Sequence, residues 1–156
     1  MTSTSRAQID DFLSRKRLAL VGVSRNPQDF TRSLYREFLR RGYDAVPVNP
    51  NVSEMEGRPC FARLREVTPP VEGALLLTSP AVTDQVVHEC AEAGINRVWM
   101  HRGAGIGAAT RGAVEFCQSQ GIKVIPGECP FMFFPNTAVF HRLHGFVRKI
   151  VGQYPQ

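Results

Sequence analysis

The four cysteines of this chain, Cys60, Cys90, Cys117 and Cys129, form no C-x-x-C pair, and no charged-then-apolar leader opens the sequence. Both absences predict a reduced, cytoplasmic setting. Long hydrophobic runs are missing as well. A greasy run such as Phe131-Met-Phe-Phe134 stops at Pro135, far short of the roughly 20 apolar residues that span a bilayer. There is no Walker lysine, no G-x-S-x-G elbow and no metal-ligand cluster, and His141-x-x-His144 without further ligands is a poor metal site.

What is present suits one globular unit. At 156 residues and 43% hydrophobic content, the chain can bury a full core, and residues 1–156 are expected to form a single domain. The formal charge of +5 favours a polyanionic partner. A phosphorylated small molecule meets that need as well as nucleic acid does. The arginines are spread over several elements and form no single basic stripe, so neither nucleic acid nor membrane is the expected partner.

Hydrophobic periodicity orders the chain. Arg6 to Arg15 reads as a leading helix because Ile9, Phe12 and Leu13 share a face, after a loose start of five residues. Leu18 to Val23 is a continuous apolar run, as a parallel strand covered on both faces requires. A helix from about Thr31 to Arg41 follows, stopped by Gly42, and Tyr43 to Val48 is the second strand. Pro59-Cys60-Phe61 is a short edge strand or an extended link. Gly73 to Thr78 is the next strand. Ser79 and Pro80 then supply an N-cap hydroxyl and a first-turn proline to a helix that runs to Ala93. Arg97 to His101, a loose turn at Gly103–Gly107, a helix over about Ala108 to Gln120 and a strand over Ile122 to Ile125 complete the alternation. The predicted fold is therefore α/β: a Rossmann-like doubly wound, mostly parallel sheet of about five strands with helices on both faces. A last helix, about 137–152, carries an apolar stripe of Val139, Phe140, Leu143, Val147, Ile150 and Val151. That stripe packs on the sheet or makes a homodimer contact.

The chemistry concentrates at two places. Leu18 to Val21 enters Gly22-Val23-Ser24 ahead of a helix, the strand-turn-helix arrangement in which backbone N–H groups and the positive end of the helix dipole meet a phosphate. The second strand then ends in Val48-Asn49-Pro50, where an NAD-binding unit needs an Asp or Glu for the ribose hydroxyls. That carboxylate is missing.

Together with the Gly57-Arg58-Pro59-Cys60-Phe61 segment and the Ser79-Pro80 helix start, these motifs resemble the small stand-alone CoA-binding proteins of bacteria and archaea. Those are similar to the CoA-binding domain of the succinyl-CoA synthetase α subunit and of acyl-CoA synthetases. The likeness spans about Arg17 to Cys129. It implies coenzyme A or an acyl-CoA bound at the carboxyl ends of the strands. Carried over, it puts the amides of Gly22, Val23 and Ser24 and the Ser24 hydroxyl on the pyrophosphate. It makes Arg25, Arg32 and Ser33 candidates for the pyrophosphate or the ribose 3′-phosphate. Val48, Asn49 and Pro50 would line the adenine side, and Thr78, Ser79 and Pro80 would face the adenine or pantetheine from across the crevice.

Duller roles compete with these. Gly22 alone permits a tight turn, Asn49-Pro50 is an ordinary turn former, and Ser79-Pro80 is a helix cap. His101, at a strand end, is a general-base candidate without an Asp, Ser or Cys near it in sequence, and Cys129 is either a buried small residue or a thiol near the crevice mouth. Two functions follow. One is a non-catalytic CoA-binding module, a carrier, sensor or regulatory subunit, with a homodimer or partner enzyme left open. The other is a small Rossmann-type enzyme acting on acyl-CoA or using NAD(P).

Overall fold

The computed structural model describes residues 3–102 and 107–135. The expected C-terminal helix, with its stripe and His141 and His144, lies outside them, as does most of the Gly103–Gly107 turn.

Helix α1 (Arg6–Leu13) starts at Ser5, whose Oγ accepts from the Gln8 N–H while Gln8 Oε1 accepts from the Ser5 N–H. This reciprocal cap fixes a helix start that the sequence pattern predicts to be loose. Strand β1 (Arg17–Val21) leads to α2 (Phe30–Arg40), and β2 (Asp44–Val48) follows. Next comes a small hairpin, β3 (Glu54–Met55) and β4 (Arg58–Pro59), where the sequence predicts a short edge strand or an extended link over Pro59-Cys60-Phe61. Then β5 (Gly73–Leu76), α3 (Pro80–Glu92), β6 (Arg97–Met100), α4 (Arg111–Ser119) and β7 (Lys123–Pro126) alternate as expected, each boundary within a few residues of its prediction.

The five main strands are parallel in the order β2-β1-β5-β6-β7. Phe61 extends the sheet beyond β2 through one parallel bridge to Val48, with its N–H donating to Pro47 O at 3.1 Å. That bridge stands where a Rossmann sheet has its outer strand. It also explains a proline inside β2: Pro47 turns its carbonyl outward to Phe61, so the missing N–H falls on the sheet edge, where it costs little.

The alternation along each strand sorts the core into two layers. Leu18, Leu20, Ala45, Leu75, Trp99 and Ile125 face α1, α2 and the segment Cys129–Phe134. Ala19, Val21, Val46, Ala74, Leu76, Val98 and Met100 face α3 and α4. Trp99 anchors the first layer. Phe12 meets it edge-on at 5.4 Å, and its Nε1–H donates to Gly127 O at 2.8 Å. The order reverses between β1 and β5, and a doubly wound sheet opens its crevice at that point, at the carboxyl ends of the strands.

Candidate functional site

The crevice is shaped first by Gly22. It adopts φ +93°, and a Cβ there would lie 2.9 Å from Leu77 O and 3.1 Å from Thr78 Cγ2. The loops that leave β1 and β5 thus touch backbone to backbone. Only glycine tolerates both the left-handed angle and that approach.

The turn that follows uses most of its own polar groups. The Gly22 N–H donates to Val48 O at 3.0 Å, and the Ser24 N–H donates to Thr31 Oγ1 at 2.8 Å. Val23 is fully buried in the α2-side core. The amide cradle predicted at Gly22, Val23 and Ser24 is therefore largely engaged within the protein, and the reason is local. Helix α2 begins at Phe30, several residues past the glycine, and Asp29 caps it: Asp29 Oδ1 accepts from the Thr31 N–H at 2.8 Å and from Thr31 Oγ1 at 2.6 Å. A carboxylate of the chain itself occupies the anion position of that helix end.

The other side of the crevice is different. Ser79 is the N-cap of α3 and Pro80 opens its first turn, but no side chain caps this helix, which corrects the expected Ser79 hydroxyl cap. Ser79 is exposed, and its hydroxyl makes no bond to the first turn of the helix. Thr78 Oγ1 lies 2.6 Å from Thr83 Oγ1, which donates to Ser79 O. That pairing locks the shape of the β5–α3 loop.

The remaining candidates divide cleanly. Arg25 is exposed and its guanidinium has no hydrogen bond or ion pair among the described residues. The Ser24 hydroxyl accepts from the Asn26 N–H and keeps its proton free to donate outward. Arg32 is occupied: it pairs with Glu56 Oε1 at 2.5 Å and donates to Arg25 O at 3.2 Å. Ser33 is exposed and has no side-chain bond among the described residues. Asn49 braces the site: its Nδ2 donates to Val23 O at 2.9 Å and its Oδ1 accepts from the Asn51 N–H. Val48 is buried, and Pro50 is exposed beside it.

The sequence reading missed Phe30. It is one of two exposed large apolar side chains among the described residues, the other being Val82 in the first turns of α3. Its ring sits 5.5 Å from the His101 ring and 5.6 Å from that of Phe131. The spacing gave no such signal, since Phe30 stands four residues before buried Leu34, on the side of the apolar stripe.

Comparison with known proteins decides the family. The family described as "CoA binding domain" matches residues 16–135. The chain belongs to it. Among curated relatives, the uncharacterised protein YneT of Bacillus subtilis is 26% identical over 83% of this chain and 93% of its own length. The α subunit of an ADP-forming acetate–CoA ligase II of Pyrococcus furiosus is 22% identical over 78% of this chain and 28% of its own. Among solved structures, a conserved hypothetical protein from Pyrococcus furiosus is 31% identical, covers 73% of this chain and 95% of that one, and has a TM-score of 0.67.

Within this CoA-binding family member the thiols are quiet. Burial pushes the Cys117 and Cys129 thiols up to about 11 and raises Cys90 further. Cys60 is half-buried and also raised by burial. None has the lowered pKa of a nucleophilic thiolate. No group of three or more His, Cys, Asp or Glu among the described residues could hold a metal ion. No helix among them is long and apolar enough to cross a membrane.

Proposed function

We propose that this protein binds coenzyme A or an acyl-CoA, without turning it over, in the crevice between the loops after β1 and β5. The observation that carries the reading is the backbone contact at Gly22 and Leu77, at the point where the strand order reverses, in a chain of the CoA-binding family. Open α/β sheets bind ligands at that point.

The pyrophosphate is assigned to the rim that the protein leaves unused. On one side stand the Ser24 hydroxyl and the Arg25 guanidinium. On the other stand the Ser79 hydroxyl and the uncapped first turn of α3, where Pro80 has no N–H and the amides of Ala81 and Val82, with the helix dipole, favour an anion. Val48 and Pro50 line the adenine side, with Asn49 holding the wall in place through Val23 O. Thr78 sets the position of the β5–α3 loop and so the width of the crevice. Gly22 and Val23 shape the turn, and Ser33 contributes nothing to this arrangement. The acetate–CoA ligase subunit is a longer protein of which this chain resembles one part. That relation suits a carrier, sensor or regulatory module acting in the cytoplasm.

Isothermal titration with coenzyme A, acetyl-CoA, NAD and NADP tests the reading. Saturable binding of the two CoA compounds and none of the nicotinamide dinucleotides is expected. NADP binding with turnover supports a small Rossmann-type oxidoreductase and refutes the proposal.

A further inference from the structure

Arg32 and Arg36 lie one turn apart on α2, so their side chains leave the helix on the same side. Both converge on a single atom. Arg32 Nε and Nη2 lie 3.1 and 2.5 Å from Glu56 Oε1, and Arg36 Nε lies 2.8 Å from it. Their other edges hold the loop after Gly22: Arg32 Nη1 donates to Arg25 O at 3.2 Å and Arg36 Nη1 to Pro27 O at 3.1 Å. Two guanidinium forks against one carboxylate leave a positive charge in excess. A dianionic phosphate monoester, with three oxygens, matches such a pair better than one carboxylate oxygen does.

Glu56 reaches the two arginines from a short hairpin, between buried Met55 and Arg58, which pairs with Asp44. It sits with Gly57 at the tip of a hairpin whose strands are two residues each, a ribbon too small to be stable by itself. Its φ of +51° lies in the left-handed region, which disfavours a residue with a β-carbon. The hairpin follows directly on β2 and Asn49-Pro50. In Rossmann-type sheets that is the side where ribose substituents are read, and an arginine there accommodates a ribose phosphate.

We infer that Arg32 and Arg36 form the subsite for the ribose 3′-phosphate of coenzyme A and that Glu56 is its internal place-holder, released when the phosphate arrives. The inference rests on the CoA-binding reading above. It gives the crevice a means of telling coenzyme A from its 3′-dephospho form, because only the phosphorylated ligand replaces the anion that the arginines lose.

The test is titration calorimetry of the wild type, Glu56→Gln and Arg36→Gln with coenzyme A and with 3′-dephospho-coenzyme A, the fold of each variant being checked by circular dichroism. Gln keeps an acceptor oxygen at the same place and removes the competing charge. Glu56→Gln is expected to tighten coenzyme A about fivefold, and Arg36→Gln to weaken it by a similar factor. Dephospho-coenzyme A should change by less than about twofold in both, since it makes no use of the pair. Equal shifts for the two ligands, or no shift for either, overturn the place-holder while leaving the CoA-binding reading intact. Failure of the wild type to bind either ligand overturns both.

Discussion

Replacing Gly22 by alanine probes the structural basis of the crevice, and its effect can be worked out against a control. At φ +93° an L-residue costs about 1–2 kcal/mol in backbone energy. The new Cβ would also meet Leu77 O at 2.9 Å, backbone against backbone, so the β5–α3 loop must move. Forced overpacking of this kind costs about 1–3 kcal/mol more. Gly42 supplies the control: its φ is +87°, but a Cβ there meets nothing within 4 Å. Gly42→Ala should therefore lose only the backbone cost of about 1–2 kcal/mol, and Gly22→Ala about 2–5 kcal/mol. For a chain of this size the second loss lowers Tm by roughly 4–20 °C. Urea unfolding of both variants, together with CoA titration well below their midpoints, reads the difference. Gly22→Ala should also weaken CoA binding because Thr78 and Ser79 shift, while Gly42→Ala should not. Equal destabilisation by the two substitutions, with unchanged CoA affinity, would refute the close-approach reasoning.

Other outcomes follow from particular contacts. Trp99→Phe removes the donor to Gly127 O and is expected to cost about 1–3 kcal/mol in urea unfolding, because it leaves that carbonyl unpaired; a loss below about 0.5 kcal/mol contradicts this. Asp11 is gripped by Arg97 at 2.8 Å and Arg15 at 2.6 Å, and the Arg97 bond foremost holds its carboxyl far below the ordinary 3.8. A carboxyl depressed on folding stabilises above its unfolded value and loses that contribution as the pH falls through the folded one. The urea midpoint should accordingly drop below about pH 4, and Asp11→Asn should flatten that part of the profile; an unchanged acid limb argues against it. In native protein at pH 8, a thiol reagent should modify Cys60 first and Cys90, Cys117 and Cys129 only on unfolding, given their burial. Equally rapid reaction of Cys129 would show that its burial has been misjudged.

Much of the architecture is legible in local pattern. The apolar runs at Leu18–Val21, Ala74–Leu76 and Val98–Met100 are uninterrupted because both faces of a parallel sheet are covered. Gly22 is legible too, since a glycine after such a run marks either a tight turn or a close approach, and here it is both. What escapes the pattern depends on partners far away in sequence. Arg32 reads as free to meet a phosphate, yet its partner Glu56 lies 24 residues on, across a hairpin whose two-residue strands carry too little periodicity to detect. Asn49 reads as facing a ligand, and its amide is spent on Val23 O, 26 residues earlier. Ser79 has the residue type and the following proline of a capping serine, but type does not fix the rotamer that makes the bond. Asp29, the residue that does cap α2, carries a local signal that the motif reading does not use, a carboxylate before an apolar helix start.

The most direct measurement is a crystal structure of the protein grown with coenzyme A. The account requires the diphosphate between Ser24–Arg25 and Ser79–Pro80, with adenine against Val48 and Pro50 and the ribose 3′-phosphate on Arg32 and Arg36. Coenzyme A bound away from the carboxyl ends of β1 and β5 would contradict it.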